Sequence, residues 1–169
     1  MTISMYQVSV PVFANGLGAL GGVLTKAEAF VEARKLDQAA VLALRIYPDM
    51  FPLNVQVGQV TTHATRAIAL LSGMPQPDYG APETTFAALK ERVAKARAFV
   101  NSAKPEQIDG TEDKDVVVKF GTREMPFKGQ PFLIGFTLPN FYFHFTTAYN
   151  ILRGIGVEVG KGDFMRPPA

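Results

Sequence analysis

Gln130 to Gly154 reads QPFLIGFTLPNFYFHFTTAYNILRG. From Pro131 to Leu152 it carries no charged residue, and it holds five of the thirteen phenylalanines and one of the two histidines, His144. A helix apolar on nearly every side has to lie inside something, so the other helices are expected to pack around this one. The stretch is about as long as a bilayer requires. However, Pro139, Asn140, Tyr142 and His144 fall near its middle, where lipid makes polar groups costly, and a core helix is the cheaper reading.

The composition narrows the classes. A chain of 169 residues is one domain by prior, here 1–169, long enough to bury about 70% of its unfolded surface. The net charge is only +2 and no run of like charges occurs, so neither nucleic acid nor a membrane surface is an expected partner. Cysteine is absent, which excludes disulfides, thiolate metal sites and cysteine nucleophiles. No Lys or Arg precedes the apolar residues of the N-terminus, as a signal peptide would require. A cytoplasmic location is expected.

Working back from the central stretch, the period changes. Val116–Phe120 and Arg123–Phe127 read as two short strands joined by Gly121-Thr122, a glycine-first pair suited to a type II′ hairpin, with Pro126 marking an edge. Before them, Thr84 or Thr85 caps a helix to about Ser102. Its inner face is Phe86, Leu89, Val93, Ala96 and Val100; Lys90, Glu91, Arg92, Lys95 and Arg97 are assigned to water. Leu53 to Ser72 is the clearest helix, stopped by Gly73 and Pro75. Beside its apolar stripe runs a polar one, Gln56, Gln59 and His63, which faces either solvent or a polar cavity. Leu36 to Ile46 reads as a short helix capped by Asp37, with Leu36, Ala40 and Leu44 on one face. Residues 5 to 34 form the first helix, with Pro11 in its early turns. Pro139 is expected to kink or divide the last helix, and the tail after Gly156 shows no helical pattern.

Gly16-Leu17-Gly18-Ala19-Leu20-Gly21 is a literal G-x-G-x-x-G with Asp37 about twenty residues on, as a dinucleotide fingerprint has it. Pro11 interrupts the would-be strand and no strand–helix alternation follows, so these small residues are expected to admit a neighbouring helix instead. The fold class is therefore all-α: an antiparallel four-helix bundle with a small β-hairpin between helices three and four.

The two histidines are the sharp chemical feature. His63 sits midway along the second long helix and His144 midway along the fourth; Asn140 precedes His144 by one helical turn and shares its face. If those helices meet, His63, Asn140 and His144 converge. This arrangement resembles the DinB/YfiT-like superfamily of four-helix bundles. Pro48-Asp49-Met50-Phe51-Pro52-Leu53 with Gln56-Val57, the run from Pro139 to His144, Ala148 to Arg153, and Gly160-Lys161-x-Asp163-Phe164 look more specifically like a domain-of-unknown-function branch of it. In the superfamily, one histidine of helix two and two histidines spaced by four on helix four hold a divalent metal. The resemblance thus implies His63 and His144 as metal ligands, with Asn140 in place of the third histidine. An amide oxygen is a poor partner for zinc or nickel beside imidazole, so a weakly bound ion or a degenerate site is expected.

Three functions follow. The preferred one is a small-molecule-binding bundle with a degenerate metal site, its polar and aromatic pocket holding His63, Asn140, His144 and Tyr142. The alternative implied by the resemblance is a divalent-metal-dependent enzyme, a thiol-dependent transferase or isomerase. The third is a bundle that forms a homodimer without a small ligand. No serine stands in a nucleophile-elbow context and no paired carboxylates suit acid–base work.

Overall fold

A computed structural model describes residues 3–165; Met1, Thr2 and Arg166 to Ala169, ends of the expected domain and of the tail, lie outside the described residues. In chain order the elements are α1 (Val10–Ala33), α2 (Gln38–Leu42), α3 (Leu53–Ser72), α4 (Phe86–Ser102), α5 (Pro105–Ile108), β1 (Asp115–Phe120), β2 (Arg123–Lys128) and α6 (Gly129–Pro131). A π-helical turn (Phe132–Thr137), α7 (Leu138–Gly154) and α8 (Lys161–Phe164) complete the chain. The fold is mostly helical with a two-stranded antiparallel hairpin. Among the described residues no helix is long and apolar enough to cross a membrane.

Helix α3 has the bounds its pattern predicts, because Gly73 at φ 82 takes the left-handed position and donates its N–H to Ala69 O. It packs on α7 and α4, while α1 packs on α4. The expected α4 stripe is buried, and Thr85 caps the helix by accepting from Ala88 N at 3.1 Å. Arg92 departs from expectation and is buried. Its guanidinium donates to Thr61 Oγ1 (2.7 Å), Glu83 Oε1 (3.0 Å), Gly58 O (3.3 Å) and Thr62 Oγ1 (3.3 Å), and lies over the Tyr79 ring. With so many acceptors converging, burial of the charge is compensated.

Helix α1 starts at Val10, so Pro11 occupies the first turn, where its missing N–H costs nothing. The small residues of the G-x-G-x-x-G run admit neighbours. A Cβ at Gly16 would lie 2.7 Å from the Phe141 ring, while Gly18 and Gly21 lie against Arg97 and Val93. The expected helix from Leu36 to Ile46 shrinks to α2. Asp37 does cap it, accepting from Ala39 N at 2.9 Å, but Val41 and Leu42 are buried, and Leu36 and Leu44 are exposed. Five residues cannot sustain the longer amphipathic face.

The hairpin pairs Val117 with Pro126 and Phe120 with Arg123, and Gly121 at φ 58 takes the turn. It packs inward through Val116 and Val118, which are buried. Pro139 does not divide the last helix. The turn before it widens instead: Leu138 N bonds to Leu133 O, five residues back, and Asn140 Nδ2 donates to Phe136 O at 2.7 Å. Proline cannot donate to the carbonyl four residues before it, and the π turn with an amide side chain absorbs that loss.

The tail is ordered by α8, which the sequence pattern did not suggest. Gly160 N donates to Asp163 Oδ2 (2.8 Å), Lys26 pairs with Asp163 (2.7 Å), and Phe164 stacks on Phe145 with ring centroids 4.2 Å apart.

Candidate functional site

Helices α3 and α7 lie side by side, so the two histidines meet. Their rings stack at 5.5 Å between centroids and 18° between planes. Relative exposure is 4% for His63 and 8% for His144. Phe51 also stacks with His144 at 6.4 Å, and Phe136 tilts against His63 at 6.0 Å. Phe136 in turn meets Phe120 at 6.2 Å and Phe127 at 5.2 Å. The result is a row of rings running from the loop before α3 to the tip of the hairpin. Its two ends are open: Phe51 is 50% exposed and Phe120 44%.

Burial decides the protonation of the pair. Desolvation lowers His144 to about 4. Desolvation, then the Arg66 guanidinium, then His144 lower His63 to about 3. Both rings are neutral near pH 7. Gln56 fixes the tautomer of one. Its Nε2 donates to Phe51 O at 3.0 Å, which turns Oε1 toward His144 Nδ1 at 2.7 Å. An amide oxygen only accepts, so His144 carries its proton on Nδ1 and leaves Nε2 with a free lone pair. His63 has no such support, and its Nδ1 is buried without a partner. Leaving such an atom unpaired costs about 1–3 kcal/mol.

The other expected site residues divide. Asn140 lies one turn before His144 on α7, with its amide nitrogen committed to its own helix. Tyr142 does not join the histidines. Two residues along an α-helix is about 200° around it. Tyr142 is 40% exposed and shares a separate recess with Val12, Asn15, Phe164 and Met165. Most of the aromatic stretch is core: Phe132, Phe141 and Phe145 are buried, whereas Phe143 is exposed and stands edge-on to His144. Two contributors were not assigned a role from sequence. Gln56 belonged to a polar stripe that allowed either surface or cavity. Arg66 continues that stripe, three residues after His63, and its guanidinium lies 5.2 Å from the centre of the Phe120 ring. The spacing 56, 59, 63, 66 is the signal that would have found it.

The donors the structure brings together are two imidazoles, fewer than the three protein ligands of an ordinary catalytic zinc site. Among the described residues no group of three or more His, Asp or Glu side chains converges. The carboxylate of Glu28 on α1 is paired with Lys90. The Arg66 charge beside His63 opposes a dication as it opposes a proton.

The fold places the chain with the DinB-like helical proteins. Its structure matches the crystal structure of a DinB family member protein from Shewanella denitrificans with a TM-score of 0.82 and 32% identity, covering 96% of this chain and 92% of that one. The family described as Domain of unknown function (DUF1993) matches residues 5–165, and the chain belongs to it. No curated protein matches.

Proposed function

We propose that the chain is a single domain, an antiparallel four-helix bundle that binds a small molecule along the aromatic row between α3 and α7. His63 and His144 are its neutral polar groups, and Asn140 lies at its α7 edge. The observation that carries this reading is the buried, stacked histidine pair with an unpartnered His63 Nδ1. A core that served packing alone would hold apolar side chains here at lower cost. Ligand sites combine apolar walls with a few oriented polar groups, and this row supplies both. The test is titration of the full chain with a neutral flat aromatic such as 2-naphthol, following the imidazole ¹⁵N signals. Saturable shifts of both rings are expected; signals that stay fixed overturn the reading.

The alternative, a divalent-metal-dependent enzyme of the thiol transferase or isomerase kind, keeps one supporting observation. Gln56 holds His144 in the tautomer that leaves Nε2 free, as the outer-shell partner of a metal ligand does. Metal analysis after incubation with zinc or nickel separates the two. One ion per chain, lost in His144→Ala, would favour the alternative.

A further inference from the structure

Arg66 is the one guanidinium of α3, and its treatment contrasts with that of Arg92. Arg92 is buried among acceptors from Gly58, Thr61, Thr62 and Glu83. Arg66 is half-buried, and burial pulls it below its ordinary pKa. It lies over the face of Phe120, and among the described residues no carboxylate pairs with it and no oxygen accepts from it. A guanidinium offers five N–H donors, so the fork of Arg66 is free for an acceptor from outside the chain. Stacking on a ring occupies the face of the guanidinium and leaves that donor edge open.

We propose that this end of the row binds the carboxylate of a flat, apolar small molecule, with Arg66 as the anion-recognising residue. The inference rests on the pocket reading above and adds the ligand's charge and shape. The planar fork matches a carboxylate through two parallel hydrogen bonds. Phe120 and Phe136 give the ligand body a surface to lie on, leading from Arg66 toward His63. The two imidazoles are neutral, so Arg66 supplies the charge within the row, while Arg123, paired with Phe120 across the hairpin, adds a second cation at its exposed end; both favour an anion.

The experiment compares 2-naphthoate with its neutral amide, 2-naphthamide, by calorimetric titration of the full chain near pH 7. The expected result is at least tenfold tighter binding of the carboxylate. In Arg66→Met that preference should vanish, leaving both at the affinity of the amide. Arg66→Lys, which keeps the charge without the fork, should retain a reduced preference, so the inference stays testable if the methionine variant folds poorly. Equal binding of the two probes by the native chain, or carboxylate binding unchanged in either variant, overturns the assignment of Arg66 and leaves the pocket standing. If neither probe binds, the pocket reading falls with it.

Discussion

Acidification should destabilise this protein through two residues in particular. His63 and His144 titrate near 3 and 4 in the folded chain, against about 6.5 in an unfolded one. The folded state therefore holds fewer protons than the unfolded state throughout that interval. The pair's contribution is fully present above pH 6.5 and is lost as pH falls from there toward 4 and 3. At pH 5 the unfolded state gains about 2 kcal/mol per ring, or about 4 kcal/mol for the pair, a large share of an ordinary domain's stability. The assay is urea unfolding followed by far-UV circular dichroism at pH 7, 6 and 5. The native chain is compared with His63→Leu/His144→Leu, which keeps apolar bulk and removes both titrating groups. The native chain should lose about 4 kcal/mol more than the double variant between pH 7 and pH 5. Parallel losses would refute the claim that the rings are buried and neutral.

Four further outcomes follow from packing and hydrogen bonding. Gly16→Ala should cost about 1–3 kcal/mol by urea unfolding, because its Cβ meets the buried Phe141 ring at 2.7 Å. Gly18→Ala, facing only the mobile end of Arg97 at 3.4 Å, should be neutral or stabilise by up to about 1 kcal/mol. Arg92→Met should lower stability by about 3 kcal/mol in the same assay, since it strands Glu83 and the α3 acceptors. Gln56→Leu should cost about 1–2 kcal/mol and release the His144 tautomer, read as a change in its ¹⁵N shifts.

The long helices were legible because their faces repeat over four or more turns, as α3 does between Leu53 and Leu71. The meeting of His63 and His144 was legible for the same reason, since each lies midway along a helix whose neighbour could be argued. Short elements were not. Residues 36–46 are apolar at eight of eleven positions, so no single face stands out over so short a run, and the period does not say where the helix stops. The helix α8 exists because Phe164 stacks on Phe145 and Lys26 reaches Asp163, contacts made far along the chain that no local pattern announces. Arg92 was misassigned because its acceptors lie on α3 and in the preceding loop. Tyr142 was grouped with His144 as a further polar group of the aromatic pocket, although helical geometry turns the two apart.

The widened turn before Pro139 sets the rotational phase of everything upstream of it. Phe132 and His144 are twelve residues apart, which on an uninterrupted α-helix is roughly 120° around the axis. The extra residue accommodated in the π turn takes back about 100° of that and swings Phe132 toward the side that carries His144. Shortening the segment by one residue would restore ordinary helix without disturbing this alignment, whereas lengthening it by one would rotate the ring away. The chain should accept single deletions between Phe132 and Thr137 far more readily than insertions.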